Sequence, residues 1–383
     1  MIYIVAPVNF ESYALKFNLD LVISAASQKV FGIARAIQSA QGDVALVAFP
    51  KIRKDKLGFR KSIVLLQDSI HIFFAPTSQF IFFRRVLNTF YFLYLSIFLF
   101  KKQDQIILYN YYPEYLFGAI WLFLFKTRVV LDIEDAPRLQ EKTFQAKINR
   151  FILPLLLRIA SFKYICASQV IAKKMNLKQF FLVYGAPIDQ LSQYEKKWED
   201  ISLNILYGGT FNFDTGSNIF IDAVRILDKE PLSDKKIQIF ITGYDFDQKM
   251  FYELKDCRNI KVEILKNLSP QKYRELLKEI HIGLNLRNKY SEFSLTTFPS
   301  KVIEYISVGL LLVTTDLDEI FELIGDDACY IYENSPTELA NILKEIASNP
   351  NSFIPKIQNS QKKLMNVMHS KTLGLRLCNY LKN

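Results

Sequence analysis

The chain has 383 residues, 50% of them hydrophobic and 22% charged, which is enough for two or three domains with packed cores. Its four Cys and three His are scattered without paired spacing, so the sequence predicts neither a disulfide framework nor a metal site and favours a reducing compartment. The net charge of +10 is concentrated in the first half, because residues 1–190 carry 24 Lys and Arg against 12 Asp and Glu, and the remainder carries 24 against 26.

Apolar runs alternate with helix-length segments through the first half of the chain. The predicted strands are residues 1–7, 43–49, 69–76, 105–110, 128–133, 162–168 and 180–185. The predicted helices are residues 26–41, 84–101, 112–125, 143–160 and 168–176. Continuous apolar strands separated by helices are typical of a parallel sheet that is covered on both faces.

One segment of this half is unusually apolar. Residues 80–102, FIFFRRVLNTFYFLYLSIFLFKK, hold a 15-residue apolar run between two Arg at its start and two Lys at its end. A spanning helix needs about 20 apolar residues, so a membrane span is disfavoured. Two interpretations stay open: a helix packed on the sheet, and a helix that lies in the plane of a membrane surface.

The same alternation restarts after a polar interval, residues 186–203. The second-half strands are predicted at 204–209, 237–243, 261–265, 282–287, 310–315 and 329–332. The helices are predicted at 217–228, 246–255, 270–279, 299–308, 316–324 and 336–348, and the tail predicts one or two further amphipathic helices. We therefore expect an α/β protein of two Rossmann-like, doubly wound parallel-sheet domains that face each other across a cleft. The domains would be 1–188, completed by a C-terminal helix at 360–383 that packs back on it, and 203–359.

Residues 296–315, TTFPSKVIEYISVGLLLVTT, place two charges inside an apolar region. Pro299 suits the first turn of a helix and Gly309 its end, and a short buried strand follows. The spacing of three puts Lys301 and Glu304 on one face of that helix, one turn apart. Loop, helix and strand thus form a βα unit whose helix start faces a ligand.

Three segments that follow strands carry further glycines and charges: YGGTFNFDTGSN (207–218), ITGYD (241–245) and GLNLRNKYSEFSLTTFPSKVIEYISVG (283–309). In this order they resemble the C-terminal domain of GT-B-type nucleotide-sugar glycosyltransferases, specifically the family-4-like (group 1) bacterial enzymes of surface-polysaccharide synthesis, such as those of lipopolysaccharide or capsule. VVLDIEDAPR (129–138) and LVYGAP (182–187) are similar to segments of the N-terminal domain of those enzymes.

The resemblance implies roles at the donor sugar nucleotide. Glu304 matches the second Glu of the E-x7-E motif, which holds ribose hydroxyls through a carboxylate that accepts two O–H bonds. The first Glu of the motif is replaced by Thr296, and Glu292 is the substitute near the transferred sugar that the sequence offers. For Glu304 and Glu292 alike, a solvated carboxylate is the alternative.

The diphosphate contacts also depart from the family pattern, because Thr210 and Thr215 replace the two basic residues of G-R-x4-K-G. Backbone N–H groups at glycine turns and at a helix start, with two cations, would then bind the nucleotide. The residues predicted for this role are Gly208, Gly209, Thr210, Gly243, Ser300, Arg287 and Lys301. A surface Arg and a Lys paired with a carboxylate are the alternatives for the two cations.

Acidic residues past a first-half strand predict the acceptor side. Asp132, Glu134 and Asp135 could orient acceptor hydroxyls, with Asp135 as the candidate general base, or they form a capping and salt-bridge cluster. Asn110 and Tyr112, in YNYYPEY, follow the preceding strand and are assigned to the same side. The catalytic His of the resembled family is missing, since no His lies between residues 72 and 280.

These residues predict a metal-independent enzyme without a cofactor. It would move a hexosyl group from a nucleoside-diphosphate donor to a hydroxyl of a lipid-linked or polysaccharide acceptor. The predicted catalytic residues are Asp135, Glu292, Arg287 and Lys301. A sugar-nucleotide epimerase and a non-catalytic subunit that binds a nucleotide sugar or a partner transferase are the alternatives.

The positive charge of the first half predicts a membrane partner. No nucleic-acid-binding motif accompanies it, whereas each Lys or Arg close to an anionic leaflet gains about 1 kcal/mol. No signal-peptide pattern opens the chain at MIYIVAPV. We therefore expect a cytoplasmic protein that is peripheral to the inner face of the cytoplasmic membrane.

Overall fold

A computed structural model describes residues 1–19, 24–51, 58–138, 141–160, 163–192, 198, 202–230, 235–243 and 247–382. The chain divides into two compact units. Unit 1 comprises Met1–Asp189, Thr296–Phe298 and Met368–Asn383, and unit 2 comprises Gln190–Leu295 and Pro299–Val367. Part of the polar interval 186–203, and Tyr244 and Asp245 of the ITGYD motif, lie outside the described residues.

Unit 1 is built on one sheet. Its strands are β1 (Ile2–Ala6), β2 (Val44–Ala48), β3 (Ile63–Gln67), β4 (Ile70–Phe74), β5 (Gln105–Tyr109), β6 (Arg128–Ile133), β7 (Tyr164–Cys166) and β8 (Phe180–Leu182). Within the described residues their order is β3-β4-β2-β1-β5-β6-β7-β8. β3 and β4 pair antiparallel, and the other described pairs are parallel. All five residues of β5 are buried, as expected for a strand covered on both faces.

The helices of unit 1 lie on both faces of this sheet. They are α1 (Glu11–Phe17), α2 (Ala25–Ser39), α3 (Ile81–Phe98), α4 (Leu116–Leu124), α5 (Phe144–Ile159) and α6 (Gln169–Lys174). The chain crosses from β1 to β2 in one direction, and from β4 through β5 and β6 to β7 in the other. Because parallel crossovers are right-handed, α2 lies on one face and α3, α4 and α5 lie side by side on the opposite face.

Unit 2 holds a second parallel sheet. Its strands are β9 (Ser202–Gly208), β10 (Lys236–Gly243), β11 (Ile260–Lys266), β12 (Ile282–Asn285), β13 (Leu311–Thr315) and β14 (Cys329–Ile331), in the order β11-β10-β9-β12-β13-β14 within the described residues. The remaining helices of the chain are α7 (Ser217–Lys229), α8 (Pro270–Glu279), α9 (Lys301–Ser307), α10 (Asp318–Ile324), α11 (Pro336–Ser348), α12 (Ile354–Met368) and α13 (Ser370–Lys382). The predicted fold class, two doubly wound α/β sheets, is confirmed.

The tail forms two helices, and the second one returns to unit 1 as predicted. α13 packs against α2 so closely that a Cβ on Gly374 would lie 1.9 Å from the carbonyl oxygen of Ala36. The last carbonyls of α13 accept hydrogen bonds from two side chains: Gln105 donates to the carbonyl of Leu381 at 2.9 Å, and Arg128 donates to that of Lys382 at 3.1 Å. Side chains of the first sheet therefore satisfy the end of the last helix.

Some local features differ from the predictions. The helix predicted at 246–255 is a 3-10 helix, Gln248–Asp256, capped by the side chain of Asp247. β3 and α1 were not predicted at all. β3 is joined to β4 by Asp68 and Ser69, whose φ values of 48° and 63° make the tight turn that a hairpin requires.

Candidate functional site

A charged cluster on α9 is the centre of the candidate donor site in unit 2. The Nζ atom of Lys301 lies 2.6 Å from Oε2 of Glu304, one helical turn later. The hydroxyl of Tyr273, on α8, donates to the same Oε2 at 2.9 Å and accepts from Nζ of Lys301 at 2.9 Å. The side chains of Lys301 and Glu304 are 36% and 31% exposed, so the cluster is open to a ligand. The two side chains lie on one face of α9, as their spacing predicts, and the pairing of Lys301 with a carboxylate is the arrangement given above as the alternative to a phosphate contact.

Local sequence explains how each member of this cluster is placed. Pro299 precedes α9, and Gly309 follows it with a φ of 74°, a backbone conformation that favours glycine. α8 begins at Pro270 after Ser269, whose hydroxyl accepts from the Lys272 N–H at 3.3 Å. Tyr273 therefore sits in the first turn of a well-capped helix.

The glycine turn after β9 leaves its backbone uncovered. Gly209 has a φ of 129°, and a Cβ built there would meet nothing within 4 Å. A Cβ on Gly208 would lie 3.0 Å from the hydroxyl of the buried Tyr305. The N–H of Gly209 already donates to the carbonyl of Thr242 at 2.9 Å. Gly209 thus offers close approach to its backbone, whereas its N–H is committed to β10.

The two threonines at the expected phosphate positions differ in their surroundings. Thr210 is exposed. Thr215 closes a capping box with Asn212: its hydroxyl accepts from the Asn212 N–H at 2.9 Å, and its own N–H donates to the Asn212 side chain at 3.0 Å. Thr215 therefore fixes the 3-10 helix Phe213–Thr215, and its hydroxyl is already engaged.

Arg287 follows β12 at the carboxyl edge of the second sheet. Its guanidinium lies 4.6 Å from the ring centroid of Phe293. Sequence reasoning missed its neighbour Glu319, which is 3% exposed and has no partner for Oε1 among the described residues. Burial raises the pKa of Glu319 to about 7, against the lowering effects of its own backbone N–H and of the Arg287 charge. The signal for Glu319 was an acid in the first turn of the helix that follows LLLVTT.

The other predicted donor-side residues also lie beyond strand ends. Gly243 ends β10, and its carbonyl accepts from the Asn267 N–H at 3.0 Å. Ser300 is the exposed residue before α9, and Glu292 is half-buried in the loop between β12 and α9, next to Phe293. In open α/β sheets this edge is where ligands bind.

In unit 1, the predicted acidic segment contains a buried ion cluster. Lys29, on α2, is 2% exposed, and its Nζ pairs with Oε1 of Glu134 and lies 3.5 Å from Oδ1 of Asp132. Burial raises the pKa of Asp132 to about 7, despite the opposing charge of Lys29, and Glu134 adds to the rise. Burial also opposes the charge on Lys29, but the two carboxylates outweigh it and raise the Lys29 pKa. Glu134, the nearer partner, forms the ion pair, while Asp132 has one buried oxygen without a partner among the described residues.

A pocket of about 190 Å³ opens beside this cluster and is lined by Asn110, Tyr112 and Asp135 together with Arg138 and Arg150. Asn110 adopts a φ of 58°, and its Oδ1 is buried without a partner among the described residues. Burial, and then the charge of Asp135, raise the pKa of Tyr112 to about 12, so this hydroxyl stays protonated. The backbone of Asp135 forms an antiparallel bridge with Thr297 of the same unit.

The structure thus brings together only some of the predicted acceptor residues. Asn110, Tyr112 and Asp135 line one pocket, whereas Asp132 and Glu134 are held by Lys29 away from its lining. Asp132 is the fifth residue of β6, where a fully buried carboxylate needs a cation. Lys29 was not anticipated, because it comes from a helix about a hundred residues earlier in the chain.

Comparisons with known proteins bear on both units. Residues 202–349 match the family model described as "Glycosyl transferases group 1". Sucrose-phosphate synthase from Thermosynechococcus elongatus is similar in structure, with a TM-score of 0.67 and 12% identity over 100% of this chain and 98% of that one. HepE from Anabaena, solved with UDP and glucose, has a TM-score of 0.66 and 14% identity over 100% of this chain and 99% of that one.

TarM of S. aureus is also similar, with a TM-score of 0.57 and 12% identity over 84% of this chain, which spans 63% of the TarM chain. No curated protein sequence matches the chain. At these identities the structural likeness shows the fold, which is GT-B. The family match of unit 2 supports glycosyl transfer as the class of reaction.

Proposed function

We propose that this GT-B protein, whose residues 202–349 are of the group 1 glycosyltransferase type, transfers a sugar from a nucleoside diphosphate to an acceptor hydroxyl. The observation that carries the proposal is the cluster of Lys301, Glu304 and Tyr273 at the carboxyl edge of the second sheet. The acceptor we propose is a lipid-linked or polysaccharide glycan of a bacterial surface polymer. The protein would act in the cytoplasm, at the inner face of the membrane.

Glu304 suits the ribose of the donor. Both of its present contacts fall on Oε2, so Oε1 can accept a ribose hydroxyl while Lys301 and Tyr273 stay in place. A charge-assisted hydrogen bond of this kind contributes on the order of 1.5–3 kcal/mol. The open backbone at Gly209 would let the diphosphate approach β9 closely.

Two cations would stabilise the diphosphate as it leaves. Lys301 provides a point charge, and Arg287 provides a planar fork that the Phe293 ring supports from one side. Charge stabilisation of this kind, with positioning of the two reactants, would supply most of the rate enhancement. Glu292 is the proposed contact to the transferred sugar.

The pocket of unit 1 suits a hydroxyl acceptor. Asp135 is the candidate base, and Asn110 presents a buried amide oxygen that a sugar hydroxyl can satisfy. Tyr112, protonated throughout the neutral range, can donate to or stack against the sugar. Two arginines, Arg138 and Arg150, and two carboxylates, Asp135 and Glu141, line the same pocket, so it offers hydrogen-bond donors and acceptors to a sugar without an excess of either charge.

The decisive experiment is calorimetry of the full chain with a panel of nucleoside diphosphates, followed by an assay for donor turnover. We expect one nucleotide to bind, and Glu304→Gln to weaken that binding at least about tenfold. Glu345→Gln, which changes an exposed carboxylate on α11, is the matched control and should leave affinity unchanged. Equal affinity of the wild type and Glu304→Gln would contradict the placement of the ribose site on α9.

A non-catalytic subunit is the second candidate. Thr215 stands where the family pattern has a cation, and its hydroxyl is already engaged in the capping box with Asn212. The same assay separates the two functions. Nucleotide binding with no turnover of any donor or acceptor would favour the subunit. Release of an epimerised sugar nucleotide would instead indicate an epimerase.

A further inference from the structure

We infer that α3, α4 and α5 together form a membrane-binding face of unit 1, which lies flat on an anionic lipid surface. The three helices are neighbours on one side of the first sheet. α3 and α4 touch so closely that a Cβ on Gly118 would lie 2.4 Å from the ring of Phe92. We call the outer surface of these helices (Ile81–Phe98, Leu116–Leu124 and Phe144–Ile159) the three-helix face.

α3 has two apolar sides. Phe92 and Leu95 are buried against unit 1, as the inner side of an amphipathic helix should be. The outer side presents three aromatic residues four positions apart, Phe90 at 66%, Tyr94 at 56% and Phe98 at 73% exposure. A helix on the surface of a soluble domain normally carries polar residues at these positions.

The apolar surface continues across the other two helices. On α4, Phe117 and Leu124 are 59% and 66% exposed, and on α5, Phe144 and Phe151 are 79% and 84% exposed. Aromatic side chains present roughly 150–250 Å² each when fully accessible, whereas apolar patches on monomeric proteins seldom exceed about 600 Å². The exposed aromatic residues of the three helices together exceed a patch of that size, which indicates that a membrane or another molecule covers this surface.

The charges on and around the three-helix face indicate which partner covers it. The three helices contain five Lys and Arg residues and no Asp or Glu. Lys101, Lys102 and Lys126 follow the carboxyl ends of α3 and α4 and are exposed. At the other end of α3, Lys51, Arg84 and Arg85 gather around one carboxylate, Glu114, which lies 3.4 Å from Arg85.

Apolar side chains between two rows of cations are typical of helices that lie at the lipid–water boundary of an anionic leaflet. A second copy of this chain would bring like charges together on the same face, which disfavours self-association as the explanation. The anionic bilayer is therefore the partner that this surface fits.

The face lies in the membrane plane and does not cross the bilayer. Among the described residues, α3 is the one helix long and apolar enough to cross. Its 18 residues are at the lower end of the roughly 17–25 that a span requires, and it connects β4 to β5 within a single sheet. Its buried side is occupied by unit 1, so only its outer side is available to lipid.

α5 joins this face to the acceptor pocket. Asn149 and Arg150 line the pocket, and Phe151, the next residue, is 84% exposed on the three-helix face. An acceptor anchored in the leaflet could therefore reach the pocket without leaving the membrane. This step, unlike the lipid binding itself, rests on the proposed function.

The test is flotation of the full chain with vesicles of phosphatidylcholine, with and without phosphatidylglycerol. Binding should require the anionic lipid and weaken near about 0.5 M salt, where the screening length falls to a few ångströms. The triple variant Phe90→Ser, Phe98→Ser and Phe151→Ser should lose at least about tenfold in vesicle affinity, since three exposed rings no longer enter the lipid. Phe321→Ser, at a position 50% exposed in unit 2, is the matched control and should float like the wild type.

The outcomes separate this inference from the proposed function. Thermal melting and nucleotide binding of the triple variant should match the wild type, because the changed side chains are exposed. Absence of wild-type flotation with anionic vesicles, or equal flotation of the triple variant, would overturn the membrane-binding face. So would a wild-type dimer that the triple variant abolishes in sedimentation. Flotation without nucleotide binding would refute the proposed function and leave the membrane face intact.

Discussion

Lys29 is the residue that allows three carboxylates to cluster at the carboxyl end of β6. Three acids within four positions would repel one another in a common buried site. Lys29 neutralises Glu134, Asp132 carries the unfavourable burial, and Asp135 lines the neighbouring pocket. Of the three carboxylates, Asp135 is therefore the one that lines the pocket.

Asp132 should make the protein less stable as the pH rises. Its folded pKa, raised by burial to about 7, lies above the unfolded value of roughly 3.9, so the folded state holds a proton that the unfolded state has lost. Stability therefore falls with increasing pH between about 4 and 7. Asp132→Asn removes this dependence, and its melting temperature relative to the wild type should increase from pH 5 to pH 7.5. A constant difference between the two proteins across that range would contradict the pKa shift.

Lys301 pairs with Glu304, and under the proposed function it would also contact the donor diphosphate. We expect Arg287→Ala and Lys301→Met each to lower kcat/KM by roughly 10²-fold, because the proposed function assigns both cations to the departing diphosphate. Nucleoside monophosphate should bind both variants nearly as well as the wild type. If Lys301 acted only by orienting Glu304, its effect would disappear in the Glu304→Gln background. Additive losses in that double variant would support a direct contact of Lys301 with phosphate.

The sequence predicted those residues of the candidate donor site whose contacts are local. The spacing of three was enough to pair Lys301 with Glu304, since helix geometry alone decides it. Tyr273 and Glu319 were missed because their partners come from other elements: the Tyr273–Glu304 contact spans 31 positions. A side chain whose role depends on tertiary contact leaves no periodic signal in one sequence.

At the level of elements, α13 is held to unit 1 by close backbone packing. Gly374→Ala would place a methyl group against the carbonyl of Ala36, where 1.9 Å is available. Overpacking of this kind costs roughly 1–3 kcal/mol. We expect a lower midpoint in urea unfolding and an unchanged m-value, whereas Lys371→Ala, at an exposed position of the same helix, should behave as the wild type. Equal midpoints would mean that α13 can shift without loss.

Helices and strands with strong periodicity were predicted well, and weakly patterned ones were not. α8 and α11 begin and end where the sequence predicts, because Ser–Pro starts mark both of them. β3 escaped notice since its turn uses Asp68 and Ser69 in place of the Asn-Gly or Asp-Gly pair that signals a hairpin. α1 was not predicted because it lacks a side-chain capping signal: the residue before it is Phe10, which cannot cap a helix.

The distribution of charge over the whole chain bears on metal dependence. The second half is nearly balanced, with 24 Lys and Arg against 26 Asp and Glu, so it offers no general positive field to a diphosphate. Under the proposed function, the fixed cations Arg287 and Lys301 would supply the local charge. We expect sugar transfer to persist in EDTA, and added Mg²⁺ to restore no more than a small fraction of the activity lost in Arg287→Ala. Complete loss of wild-type transfer in EDTA would show that a divalent ion carries the diphosphate.

The pairing of Ile188 with the end of α12 has a consequence for how the chain folds. Ile188 donates to the carbonyl of Met368 at 2.9 Å and accepts from Ser370 at 2.8 Å, so the points where the chain leaves unit 1 and returns to it are adjacent. Unit 1 therefore contains a loop of nearly 180 residues, Gln190–Val367, most of which is unit 2. Closing so long a loop as a flexible chain is slow and entropically unfavourable. If unit 2 has already folded, its two ends are close together and only a short connection remains to be closed. During synthesis, the first 189 residues therefore cannot complete unit 1 until unit 2 has folded and α13 has been made, and α2 stays uncovered until then.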